Sequence, residues 1–196
     1  MGRGGSVNFH TDHRLLVAVA GGAYLVLTLM IAIVPAFQMQ NTEPLPNAKK
    51  LLRSERRGRV LYLQEGCGYC HTQFIRDLPM DRPYGRPSVA GDYAREQPPM
   101  LGTQRTGPDL SNVAERQPSD IWHLIHLYNP RAVVPQSVMP GYPWFFEVKD
   151  KAAKGDVSVP VPPEFGPPEG QVVVARQEAR DLVKYLLTLR QPKVTP

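Results

Sequence analysis

The chain has 196 residues, room for one ordinary domain plus a short extra segment, and with 42% hydrophobic and 21% charged residues it matches neither a disordered tract nor a disulfide-stapled scaffold. Its formal net charge of +5 is modestly basic, but no basic block interleaved with aromatics accompanies it, which argues against a nucleic-acid partner. The 21 prolines forecast many extended or turning loops.

Taken in order, residues 1–14 form a short tail. From Leu15 to Phe37 the chain reads LLVAVAGGAYLVLTLMIAIVPAF, without a charge and long enough to cross the hydrocarbon core as one helix. A cleavable signal peptide is the alternative, since Val34-Pro35-Ala36 offers small residues near a possible cut. The run exceeds the usual signal h-region, so it reads as a retained transmembrane anchor. Ala18, Gly22, Leu25, Leu29 and Ala32 share one helical face, a pattern suited to packing on a partner helix and also common in spans generally. Arg3 and Arg14 precede the span, whereas Lys49, Lys50, Arg53, Arg56, Arg57 and Arg59 follow it, so positive-inside counting alone would leave the large domain in the cytoplasm.

Residues 38–46 read as a Pro-punctuated linker, after which Asn47 can cap a helix. In that helix Gly58, Leu61 and Tyr62 make one stripe, with a glycine where another backbone could come close; Arg56, Arg57 and Arg59 are expected on the solvated face. A matching stripe, Leu182, Tyr185, Leu186 and Leu189, lies near the C-terminus. Two half-buried terminal helices of this kind are expected to cross.

Between them stands Cys67-Gly68-Tyr69-Cys70-His71, a C-x-x-C-H pattern holding the only two cysteines in the chain. The pattern is that of covalent haem c attachment: both thiols form thioethers to the vinyl groups and the adjacent histidine ligates the iron. Zinc bound by Cys67, Cys70, His123 and His126 is the competitor, but these histidines are only three apart in sequence and lie more than fifty positions downstream. Haem c is attached outside the cytoplasmic membrane, and long domains translocate largely regardless of charge, so the expected topology is N-terminus in, domain out.

Gln73 to Arg105 is rich in Pro, Gly and Arg with little periodicity and reads as a long irregular loop, functional or packed on a cofactor. Gly107-Pro108-Asp109-Leu110 reads as a turn entering a helix, its sharper role being a Pro108 carbonyl that accepts from His71 Nδ1 and fixes the ring. Ser119 or Asp120 can cap a helix over 121–128, ended by Asn129-Pro130. Of the six methionines, Met1, Met30 and Met39 fall in the tail, the span and at its end. Met80 follows His71 too closely to reach the opposite haem face, and Met100 precedes the helical segment. Met139, held by Pro140, is the favoured sixth ligand, with His123 and His126 as rivals. Lys151 to Gly170 is a Pro/Gly-rich insert in which Val157, Val159 and Val161 alternate; with Val172 to Val174 they could form a small hairpin.

The stretches IVPAFQMQNTEP, GRVLYLQEGCGYCHTQFIR, YGRPSVAGDY, RTGPDLSNV, DIWHLIHLYNPRAVVPQSVMPGYPW and LVKYLLTLR together resemble the membrane-anchored mono-haem subunit, subunit II, of cbb3-type cytochrome c oxidases. The resemblance runs from the anchor to the last helix, with Lys151 to Gly170 departing from it. It implies a mainly α protein: a single N-terminal transmembrane helix followed by a class I cytochrome c domain, residues 47–196, with long Pro/Gly-rich loops. It also implies one covalent haem c on Cys67 and Cys70, axial ligands His71 and Met139, and Pro108 beside His71. The location implied is the bacterial inner membrane with the haem domain in the periplasm. The partners implied are a haem-copper catalytic subunit and, as electron donor, another haem c subunit or a soluble cytochrome c. The chain itself would carry electrons without catalysing a reaction. The small subunit of nitric oxide reductases shares this plan, and a free-standing membrane-tethered shuttle would need no partner helix. A peroxidase-like or ligand-sensing protein needs an open distal site, which a Met139 ligand disfavours.

Overall fold

The structure, a computed structural model, describes residues 11–192 except 47, 49, 97 and 103. The expected cap at Asn47 therefore lies outside the described residues. The chain divides into two compact units, Met1–Glu43 and Pro44–Pro196.

The first unit is one continuous helix, His13–Met39. Its N-terminus is capped by Asp12, whose carboxylate accepts from the Leu15 N–H at 3.1 Å. At 27 residues it is about 40 Å long, more than the hydrocarbon thickness of a bilayer, and apolar residues occupy every face, as a helix in lipid requires. The helix has three parts: α1 (His13–Thr28), a π turn over Leu29–Ile33, and α2 (Val34–Met39). In the π turn Val34 N–H reaches back five residues to the Leu29 carbonyl. The wider turn lies just ahead of Pro35, which has no N–H to give and whose ring crowds the preceding turn. One consequence corrects the expected stripe: the extra residue rotates Ala32 out of line with Ala18, Gly22, Leu25 and Leu29.

The second unit is built on two crossing helices, α3 (Arg53–Gln64) and, from the far end of the chain, α6 (Gln177–Leu186). Helix α3 opens where the Glu55 carboxylate turns back to accept from Leu52 N–H at 2.5 Å. The crossing point is Gly58, where a Cβ would lie 1.9 Å from the Asp181 carbonyl oxygen, so only glycine lets the backbones meet. One turn on, the rings of Tyr62 and Tyr185 pack edge to face at 5.6 Å. Both are buried, with Leu182 and Leu186 beside them. The polar flank of α3 differs from the solvated face expected of it at one arginine. Arg56 and Arg57 are exposed as expected, Arg57 Nε also donating to Asp181 Oδ2 at 2.6 Å, whereas Arg59 turns inward to the Pro98 carbonyl and Glu96.

Two shorter helices complete the α layer: α4 (Val113–Arg116) and α5 (Asp120–Tyr128). Ser119 caps α5, its hydroxyl accepting from Trp122 N–H at 3.2 Å, and Asn129-Pro130 ends it. Leu124 and Leu127 face the core shared with α6. A small antiparallel sheet was not expected in full. Its strands β1 (Phe146–Lys149), β2 (Val157–Val159) and β3 (Val172–Ala175) are ordered β1-β3-β2, with Val173 opposite both Val148 and Val159. β2 and β3 are the alternating valines of the proposed hairpin. β1 follows directly on Trp144-Phe145, and its polar Glu147 and Lys149 pair with each other and with Arg176 and Asp156 at the surface.

Candidate haem site

Helix α3 stops at Gly66, whose φ of 70° reverses the chain in the left-handed region. The next residues coil tightly: Cys70 N–H and His71 N–H both donate to the Cys67 carbonyl, at 3.2 and 3.0 Å. This single turn puts Cys67, Cys70 and His71 together. Both thiols are free, Cys67 half-buried beside Tyr142 and Cys70 exposed. Burial pushes the Cys67 thiol up to about 11, so unmodified it is a protonated, inert group.

The His71 ring is held from behind. Its Nδ1 lies 2.8 Å from the Pro108 carbonyl oxygen, which can only accept, so Nδ1 carries the proton and Nε2 is left as a free base. Burial holds the ring below its usual imidazole range, which keeps it neutral, the form that ligates a metal. Gly107 permits this approach: a Cβ there would fall 2.3 Å from His71 Cε1. Gly102, at a φ of +74°, does the same on the backbone side, where a Cβ would meet the His71 carbonyl oxygen at 2.6 Å.

Met139 lies on a separate loop between α5 and β1. Its N–H donates to Ser137 Oγ at 3.2 Å, and the chain just after it is pinned to the end of α5 by Tyr142 N–H on the Leu127 carbonyl at 2.8 Å. Gly141 lets that segment press on the Tyr128 carbonyl. Met139 and Cys67 are both half-buried against the same hydrophobic core. The rival histidines differ from each other. His123 is buried and donates from Nε2 to the Gln117 carbonyl at 2.9 Å, whereas His126 stacks on Trp122 at 4.7 Å with a buried Nδ1 that has no partner. Burial, with His123 and His71 nearby, pushes His126 down to about 4. Among the described residues no three His, Cys, Asp or Glu side chains converge as a metal-binding group, so the four-ligand zinc arrangement is not assembled.

Nothing in the sequence pattern singled out the residues behind the histidine: Gly107 as a packing surface, the buried Thr72, Asp81 and Asp109, and the half-buried Arg105. Asp109 and Thr72 stand next to Pro108 and His71 in sequence, which is the one signal that could have found them.

A haem c suits this donor set. Two unbridged thiols and a neutral imidazole with a free Nε2 lie on one turn, a thioether is packed on the same core, and orphaned polar atoms of Tyr62 and His126 border the region. No curated protein matches the chain. The family model for cytochrome c oxidase, mono-haem subunit/FixO, matches residues 9–182. With that match spanning the anchor, the C-x-x-C-H turn, the Pro108 loop, the Met139 loop and most of α6, the chain belongs to the mono-haem subunit family of cytochrome c oxidase.

Proposed function

We propose that this chain is the fixed electron-transfer subunit of a cbb3-type terminal oxidase, passing single electrons from a c-type donor to a haem-copper catalytic subunit. The observation that carries the reading is the His71 ring, neutral, proton on Nδ1 toward Pro108 and Nε2 free, one turn from two unbridged cysteines. Cys67 and Cys70 would hold the macrocycle through thioethers, and His71 and Met139 would supply the protein ligands to its iron. A haem c so bound supplies one-electron redox chemistry and leaves no open position for oxygen or peroxide.

The chain's own residues then have defined tasks. Pro108 and Gly107 fix the plane of His71. The rigid run from Met139 to Tyr142, tied to α5, holds the thioether in place. The helix His13–Met39 anchors the domain in the bacterial inner membrane with residues 47–196 in the periplasm, where a tether keeps the effective concentration at the partner high.

The test is purification through a tag on this chain in mild detergent. A large multi-helix subunit carrying haem b and copper should come with it, and oxygen uptake should follow addition of reduced cytochrome c. Recovery of the chain alone would favour a tethered shuttle. Recovery with a partner that consumes nitric oxide and holds non-haem iron would favour a reductase.

A further inference from the structure

The His71–Pro108 hydrogen bond is one rung of a ladder. Gly107 N–H donates to the Cys70 carbonyl at 2.8 Å, and Leu110 N–H donates to the Thr72 carbonyl at 2.8 Å. Between these rungs, the residues that follow His71 and Pro108 are bonded to each other: Thr72 Oγ1 donates to Asp109 Oδ2 at 2.6 Å. The same carboxylate accepts from Phe74 N–H at 2.9 Å and, through Oδ1, from Ser111 N–H at 2.8 Å. Asp109 is 0% exposed; its carboxylate ties the histidine strand to the proline strand and closes the turn after it, and its carbonyl accepts from Arg116.

Arg105 fixes the hydroxyl that links them. Its Nε donates to Thr72 Oγ1 at 2.6 Å, so the Thr72 proton must point at Asp109. Its remaining donors reach the Phe74 carbonyl, at 2.7 Å, and both oxygens of Asp81, with Asp109 Oδ2 at 3.5 Å. Asp81 is itself 0% exposed and also held by Arg76, at 3.0 and 3.2 Å. Apolar residues would fill this volume at no loss of stability, since buried ion pairs rarely gain over good hydrophobic packing. A charged network held this closely behind a ligand is better accounted for by what it does to that ligand.

We infer that Asp109 is a positioning residue for the haem: oriented by Thr72 and Arg105, it holds the Pro108 carbonyl on His71 Nδ1 and places a negative charge behind the ring. This rests on His71 being the axial ligand. Both effects have the same sign. A firmer Nδ1–H···O bond makes Nε2 a stronger donor, and a nearby negative charge stabilises the ferric form, which carries one more positive charge. The Asp109 carboxylate therefore lowers the potential relative to a neutral side chain at the same position, while Arg76 and Arg105 balance the charge of Asp81.

The experiment is a redox titration of the haem-loaded full-length chain in detergent, comparing wild type with Asp109→Asn, Asp109→Glu and Thr72→Val. Asp109→Asn should keep the covalent haem and its sulfur–iron band while the midpoint potential shifts upward. Asp109→Glu should stay closer to wild type, and Thr72→Val should shift upward by less. Electron paramagnetic resonance should show changed g-values as the His71 plane loosens. A folded Asp109→Asn protein with the wild-type or a lower potential overturns the inference. If that variant does not fold, Thr72→Val decides, and unchanged potential and g-values in it also overturn the inference. A wild-type chain without histidine-ligated covalent haem would instead defeat the functional reading itself.

Discussion

Gly58 of α3 meets the main chain of α6 at Asp181 so closely that a side chain of a single carbon would sit 1.9 Å from the Asp181 carbonyl oxygen. Because the obstruction is backbone, the two helices must part to admit it. Gly58→Ala should therefore cost about 3 kcal/mol, the upper end of typical overpacking. Thermal unfolding followed by circular dichroism should show a midpoint roughly 10 °C lower. An unchanged midpoint would mean that the helices do not cross at this glycine.

Acid should destabilise the domain in two separate windows. His126 has its native value pushed down to about 4 by burial, against an ordinary value near 6.5, so the native state binds fewer protons between these limits and stability falls as pH drops through them. Asp81 lies well below the usual carboxylate range because of its hydrogen bonds from Arg105 and then Arg76. Its contribution is complete above about pH 4, the ordinary aspartate value, and is lost progressively below it. Denaturation midpoints of His126→Phe should be flatter with pH from 6.5 to 4, and those of Asp81→Asn flatter below 4. Asp81→Asn should also cost about 3 kcal/mol at neutral pH, since it strands Arg105 beside a buried, uncharged partner.

Met139→Ala removes the proposed sulfur ligand. The near-infrared charge-transfer band of sulfur–iron ligation should vanish from the oxidised protein and the potential should fall, because the ferrous form loses a favourable ligand. A variant that keeps both would redirect attention to another thioether, Met80 or Met100.

Much of this was legible because the signals were local. The uncharged run from Leu15 to Phe37, the Ser119 cap, the Asn129-Pro130 stop and the C-x-x-C-H turn each depend on residues a few positions apart. The GPDL turn likewise names a carbonyl next to His71, and that contact is present at 2.8 Å. What escaped depends on distant partners. Nothing near Arg59 announces Glu96 and the Pro98 carbonyl, so an arginine on a helix reads as solvated. Asp81 and Asp109 look like ordinary loop aspartates until the chain brings Arg105 between them. Strand β1 is too short to assert itself without β3, which follows it by more than twenty residues. The π turn before Pro35 could have been anticipated, since proline inside a span must release a backbone bond.

Topology is open to a direct check. Protease added to spheroplasts should digest residues 47–196 and spare the tail before the span, despite the arginines that follow the helix. Protection of the whole domain would contradict a periplasmic haem.

The central claim is that electrons bound for oxygen pass through a haem on this chain. The most direct measurement is stopped-flow absorbance of the purified complex, fully reduced and mixed with oxygen, with Met139→Ala used to mark which c-type haem signal belongs to this chain. The account predicts that this haem is oxidised within a single turnover and re-reduced by cytochrome c at the rate of oxygen uptake. A haem here that stays reduced while oxygen is consumed would contradict it.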